Sequence, residues 1–503
     1  MKKFGKLAAL AMAATLLATS FAGCGDDSGT TSGSTGGNKS GDYDFYIFNT
    51  KGENADALDA AVAAYEEETG LTIKTFSLGS GTNSDDTLRA EMSSKNPPAI
   101  FCTMNTNSLV EWEEGGFARP IEEAVTDDFK TLATEIPDNL KLISGTSGES
   151  FGLPFNVEGY GYIVDKNMLS DLFGADKLDA VLEDLKAATY DEFAATVEAL
   201  TAYIKDNKAS EVTLNGNKYA LAATKTGLAT NLEGVFSMAG SEKWTYGDHL
   251  INIAIDAVFP SSYDAAAATK EDVEKLKGPF LAYAKTLDLK SSNAIGTRGP
   301  GFINSTTNGY DASVENFATG KAVFLKQGNW IYTNFANTSN PDVVEDLTFI
   351  PIKMPFTDAD VVADGLTVEK MNTSIPVFVP NYYLINAKVS EEEQKMAEDF
   401  LVWLNTSEAG QKFVTEDMAF IPYNADPATT QIDNSLGNSI IEYMADDAMI
   451  TNAYAGAPNT WSGDVVGLYI MENKLTKAEW TEEDYEDIAN YAVDQWLEMA
   501  NLS

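Results

Sequence analysis

Apolar positions along the N-terminal third switch repeatedly between a strand-like and a helix-like period. Residues 44–48 (DFYIF) form a short apolar run, and 49–54 is a polar loop. Leu58, Ala61, Val62 and Tyr65 then recur at helical spacing up to Thr69-Gly70. Residues 71–76 (LTIKTF) read as a second strand, 80–83 as a small polar loop, and Leu88 and Met92 mark a helix that Pro97-Pro98 stops. A third strand follows at 99–103 (AIFCT), with Asn105-Thr106-Asn107 beyond it. This βαβαβ alternation predicts a parallel α/β sheet. Ligands of such sheets meet the loops at the carboxyl ends of the strands, here 49–54, 80–83 and 105–107, all rich in amide and hydroxyl groups.

The stretch 151–169 (FGLPFNVEGYGYIVDKNML) opens with strand-type residues, is broken by Pro154 and loosened at Gly159, then resumes as a strand before a helix-like 166–172. Proline removes a ladder donor, so the run fits a strand leaving one sheet for another, with Asn156 and Glu158 facing whatever lies between. An edge strand with a bulge is the plainer alternative. Further on, Thr189-Tyr-Asp-Glu192 and Ser390-Glu-Glu-Glu393 are capping-box starts, and 481–496 closes the chain with a third such helix. Residues 219–223 read as a strand feeding a loop at 224–233. Residues 317–325 read as a helix end plus strand emptying into Gln327-Gly-Asn-Trp330. Residues 347–354 are a strand ending in prolines, and 377–386 a strand pair or one long strand.

At 503 residues the chain exceeds one ordinary core, which predicts two lobes. Its charge is extreme: 34 Lys and Arg stand against 76 Asp and Glu, for a net −42. Such a surface repels nucleic acid and anionic headgroups, which excludes nucleic-acid binding. Lys2, Lys3 and Lys6 precede an uncharged apolar run, 7–22, too short to span a bilayer, and small residues lead into Cys24. The arrangement resembles a bacterial lipoprotein signal with Cys24 as the lipidated residue; a plain secretory signal is the alternative. Residues 25–41 are rich in Gly, Ser and Thr and read as a flexible tether. Cys102, in an apolar segment, then lacks a partner and reads as a buried thiol.

Catalytic signals are thin. The single histidine, His249, would have to anchor any triad, and no Gly-x-Ser-x-Gly elbow accompanies it, so it reads as structural. One histidine and no cysteine cluster give no metal site, and no cofactor motif is present. A glycosidase using two carboxylates stays compatible with 76 acids, but no spacing selects a pair.

Taken in order, 45–70, the turn WEEGGFARP at 112–120, 151–169, 189–193, FATGKAVFLKQGNW at 317–330, 375–413 and Trp461 resemble the family-1 extracellular solute-binding proteins of ABC importers, the maltose-binding-protein-like type. The resemblance covers nearly all of 42–503. It implies a two-lobed periplasmic-binding-protein fold (type II) with ligand in the cleft and three hinge crossings, placed near 155–159, 351–356 and 420–423. The expected organisation is a signal peptide at 1–23, a tether at 24–41, lobe 1 from 42–155 plus 355–420, and lobe 2 from 156–354 plus 421–503. It further implies a carbohydrate ligand, ABC permease partners and a monomer held by lipid at the outer face of the cytoplasmic membrane.

Sugars present hydroxyl edges and flat C–H faces, so their sites need aromatic plates beside donors and acceptors. Trp330, after Gly328-Asn329, matches the family's Gly-x-Trp plate, and Trp461 fits a second platform; Trp244 is a further candidate, equally suited to a core. Glu158 matches a hydroxyl-binding carboxylate at a crossing, with Asn156 and Asn329 beside these positions. Thr50 and Glu53 occupy the first-strand loop. Glu53 stands where maltose-binding members carry a lysine, which counts against maltose itself. Asn105 and Asn107 are neutral where those members carry charges. Two other readings remain: an extracellular glycoside-active enzyme, and a glycan-binding surface protein without transport.

Overall fold

The start of the chain folds as its alternation predicts. In the computed structural model, which describes residues 42–78, 84–103, 106–137, 140–426 and 428–502, the strands Phe45–Asn49, Ile73–Ser77 and Ile100–Thr103 run parallel. They form one sheet with Tyr382–Ile385, antiparallel to Ile100–Thr103, and Leu153–Pro154 at its edge. The helix Ala55–Thr69 turns Leu58, Val62 and Tyr65 inward, and Tyr65 meets Phe400 of helix Glu391–Thr406 with ring centroids 5.3 Å apart. Cys102 is buried in this sheet; burial pushes its thiol up to about 12.

A second sheet is built around Glu158–Asp165, whose eight residues are all buried. It pairs with Ala322–Gly328, Leu347–Ile350 and Ile375–Phe378, and Gly234–Ser237 and Met449–Ile450 complete the sheet. The period-two rule sends Tyr160, Tyr162 and Val164 to one core and Ile163 to the other, so both faces are covered. Gly161 is required here, because a Cβ would come within 2.7 Å of the Ile350 carbonyl. The first of these cores also gathers helices Tyr190–Asp206, His249–Asp256, Lys277–Ser292 and Glu482–Met499. The capping boxes at Thr189, Ser390 and Thr481 are all made.

The chain passes between sheets at 155–157, because Leu153–Pro154 belongs to the first sheet and Glu158–Asp165 to the second. A bridge between Val157 and Ile421 sets the passage near 420–423 beside it. The remaining passage differs from expectation. Residues 351–356 stay inside the second lobe, with Ile352, Met354 and Phe356 in its core and Lys353 donating to the Lys186 and Asn372 carbonyls. The change of sheet comes at 379–381, between Ile375–Phe378 and Tyr382–Ile385, so the apolar run at 377–386 is two strands in two sheets. The prolines after 350 end a strand that stays within the second sheet. The expected strand at 219–223 is also displaced: Asn217–Ala220 forms a small hairpin with Glu211–Leu214, outside both large sheets. Among the described residues, no helix is long and apolar enough to cross a membrane.

Candidate functional site

A cavity of about 540 Å³ lies between the two sheets, within the usual range for small-molecule sites. The first lobe contributes Lys141, Leu142, Ile143 and Tyr382, and the 377–380 segment forms one wall. The second lobe contributes His249, Trp330, Tyr454 and residues 260–263. A small adjoining hollow is lined by Lys51, Asn54, Asn156, Asn329 and Phe420, and Glu158 and Trp330 face both spaces.

Glu158 is held at this junction by a local framework. Asn49, ending the first strand, accepts the Lys51 N–H at 3.0 Å and donates to the Lys51 carbonyl at 3.0 Å. This loop geometry aims the Lys51 ammonium at Glu158 Oε1, which also accepts from Asn156 Nδ2 at 3.2 Å. Both members of the pair are nearly buried, so each charge depends on the other for compensation. Thr50 Oγ1 donates to Asn381 Oδ1 at 3.1 Å, and the Asn381 carbonyl accepts the Phe155 N–H at 2.8 Å, tying two of the passages together. Asn329 Oδ1 accepts the Gly159 N–H at 3.0 Å, so this side chain is spent on the backbone of the crossing strand.

Trp330 stands two positions beyond the end of strand Ala322–Gly328, after Asn329. Its indole lies over Gly328, where an added Cβ would sit 2.0 Å from the ring, and its Nε1–H donates to Gln327 Oε1 at 3.2 Å. His249 packs behind it at 4.9 Å and stacks on Tyr160 at 4.7 Å, with Trp244 5.3 Å from the imidazole. Burial, reinforced by nearby Lys326, holds His249 well below the usual histidine range, so the ring is neutral. Its Nδ1 has no hydrogen-bond partner, and the neighbouring Asp248 instead accepts from Ser462 at 2.5 Å. Burial raises Asp248 to about 6. Across the cavity, Tyr263 donates its O–H to the Lys141 carbonyl at 2.8 Å and accepts the Ile143 N–H at 2.8 Å. One second-lobe side chain is thereby clasped to a first-lobe strand.

Of the residues singled out from sequence, Trp330, Glu158, Asn156 and Asn329 meet at this junction. Thr50 lies beside it and is bonded to Asn381. Trp461 does not belong to the cleft: it is fully buried, donates Nε1–H to the Ala492 carbonyl at 2.9 Å, and packs on Trp496 and Phe280. A turn at 459–460 leads into the short helix Trp461–Gly467, which packs into the second-lobe core, a placement made by partners far away in sequence. Trp244 packs behind His249 and Trp330 and does not line the cavity. The side chains of Glu53 and Asn107, and all of Asn105 and Cys24, lie outside the described residues. Sequence reasoning missed Lys51, His249, Tyr454, Phe378 and Tyr263. For Lys51 a signal existed, since the loop does supply a lysine, two positions before Glu53. Among the described residues, no group of three or more His, Cys, Asp or Glu could hold a metal.

A family model described as bacterial extracellular solute-binding protein matches residues 60–484. No curated protein matches the sequence. Among solved structures, RafE in complex with raffinose is 14% identical with a TM-score of 0.60, over 91% of this chain and 99% of that one. A chitin oligosaccharide binding protein is 15% identical with a TM-score of 0.57, over 91% and 99%. A family 1 extracellular solute-binding protein from Bifidobacterium longum subsp. infantis is 15% identical with a TM-score of 0.55, over 90% and 98%. These likenesses show a shared two-lobed α/β architecture, and among the described residues neither large sheet closes into a barrel. Two sheets facing one cleft, and a family match over most of the length, place this chain among the bacterial extracellular solute-binding proteins.

Proposed function

We propose that the chain captures a carbohydrate, an oligosaccharide of few rings, outside the cytoplasmic membrane and passes it to an ABC permease. The carrying observation is the junction of Trp330 and Glu158. An aromatic plate pressed onto a glycine stands beside a fixed carboxylate, in a cavity walled by both lobes. A plate serves the apolar face of a sugar ring and the carboxylate its hydroxyls. Structurally similar proteins are described as binding raffinose and chitin oligosaccharides, which supports the same ligand class.

The proposed mechanism is hinge closure about the three passages, with the lobes divided at 155–157, 379–381 and about 421 in place of the earlier boundary at 355. A ligand favours the closed form only through contacts it gains on closing, so both walls must contribute. In this reading Trp330, Glu158 and Asn156 bind ligand, Asn329 braces the crossing, and the chain acts as a monomer, without catalysing turnover. Cys24 is its lipid anchor, and a Cys24→Ala chain expressed in a bacterium should leave the membrane fraction for the medium or periplasm. A thermal-shift panel of mono- and oligosaccharides, followed by calorimetry, tests the ligand class. Binding without turnover supports the reading; absence of any shift across the panel, or release of free sugar from an oligosaccharide, overturns it.

A further inference from the structure

The cleft contains polar atoms that the chain leaves unsatisfied. Among the described residues, His249 Nδ1 and Asn452 Oδ1 are buried without a hydrogen-bond partner, and both residues line the large cavity. Asn156 Oδ1 is in the same condition in the adjoining hollow. Leaving a buried polar atom unpaired is costly, so an unpaired atom at a cavity wall is one that a bound molecule can complete. His249 is held by its surroundings, stacked on Tyr160 and flanked by Trp330, Trp244, Tyr454 and Phe378, so the ring cannot turn away cheaply.

We infer that His249 and Asn452 are specificity-determining residues that receive hydroxyl groups of the ligand, so that the cleft takes a neutral polyol and rejects its uronic acid counterpart. The inference rests on the carbohydrate reading above and narrows it. A hydroxyl both donates and accepts, so it satisfies Nδ1 in either tautomer of a neutral imidazole. The amide oxygen of Asn452 accepts only, as does the ionised carboxylate of Glu158. An ionised carboxylate on the ligand would set lone pairs against both. Lys51 offers it little, because its ammonium is engaged by Glu158. Lys141 lines the first-lobe wall, where a charge can strengthen encounter without supplying the donors that a carboxylate needs at the second-lobe wall.

Wild-type protein should be titrated calorimetrically with a neutral oligosaccharide found by the panel, drawn from raffinose, maltotriose, xylotriose and diacetylchitobiose, and with an oligogalacturonide of equal length. Tight binding of the neutral sugar with at least ~100-fold weaker binding of the uronate is expected, the scale for leaving buried polar groups unpaired. Equal affinities would overturn the inference while leaving the carbohydrate reading intact. No binding of any neutral sugar would instead remove that reading, and this one with it. His249→Phe puts a larger, wholly apolar ring in place of the imidazole and removes both its nitrogens, and Asn452→Leu deletes the acceptor. Each should weaken the neutral sugar on the order of 10–100-fold without lowering the melting temperature. Folded variants that bind as wild type would refute the assignment, and the wild-type comparison decides the matter if either variant fails to fold.

Discussion

Replacing Gly328 by Ala isolates the contribution of the Trp330 plate. The backbone there is extended, φ −111° and ψ −178°, so alanine introduces no conformational strain. Its methyl, however, would lie 2.0, 2.3 and 2.4 Å from Cζ3, Cη2 and Cε3 of Trp330. Carbon atoms settle at about 3.5–4.0 Å, so the indole must move by roughly 1.5 Å. His249 at 4.9 Å, Tyr160 at 6.2 Å and Trp244 at 6.4 Å close the inward directions, leaving an outward swing that breaks the Nε1–Gln327 hydrogen bond. Overpacking of this kind costs about 1–3 kcal/mol of stability, and a displaced aromatic anchor costs on the order of 10–100-fold in affinity. The assay is calorimetry with a neutral oligosaccharide, plus thermal melts, on Gly328→Ala, Trp330→Ala and the double variant. With the indole gone the methyl meets no ring, so Gly328→Ala should be nearly silent in the Trp330→Ala background, giving a coupling of at least about 1 kcal/mol. Additive losses in the double variant would show that Gly328 acts through something other than the ring.

Trp330→Ala by itself should weaken sugar binding by ~10–1000-fold, and an unchanged calorimetric affinity would reject it as a plate. Tyr263→Phe removes both hydrogen bonds of the clasp, a loss of roughly 1–3 kcal/mol from the closed form; small-angle scattering of the unliganded variant should show a larger radius of gyration, and an identical curve would count against a clasp. Glu158→Ala strands a nearly buried Lys51 charge and should destabilise the fold by about 3–5 kcal/mol in chemical denaturation, most of it recovered in Lys51→Met/Glu158→Leu; no recovery would show that the pair is not the cause. Burial, with Asp346 and Asp171 nearby, raises Asp165 from 3.8 to about 6 against the hydrogen bonds from Asn167 and Met168. Its folded pKa thus lies above its unfolded value, so this group lowers stability as pH rises from about 4 to 6, by up to about 3 kcal/mol. Asp165→Asn keeps an oxygen for the helix cap that Asn167 N–H donates to, and should raise the melting temperature at pH 7 but not at pH 4; an equal gain at both would refute the linkage.

Local chemistry was legible in the sequence wherever its partners lie within one or two turns. The N-terminal βαβαβ alternation, the capping boxes at Thr189, Ser390 and Thr481, and the break at Pro154 all rest on contacts between near neighbours, and they fold as their patterns predict. The motif order also carried the family, because a fold is shared through its periodicities more than through single residues. Tertiary structure decided the rest. An apolar run such as 375–385 does not record which sheet will pair with it, and only the distant strands Glu158–Asp165 and Ile100–Thr103 divide it in two. Trp330 and Trp461 look alike in local sequence, yet one lies over a glycine at a cavity wall and the other is sealed by Phe280 and Trp496. His249 looked structural because a lone histidine carries no pattern, and its unpaired nitrogen exists only relative to the cleft that Trp330, Tyr454 and Asn452 enclose. Periodicity encodes which face of an element is apolar; which partner covers that face, and what remains uncovered for a ligand, is set by the packing of segments hundreds of residues apart.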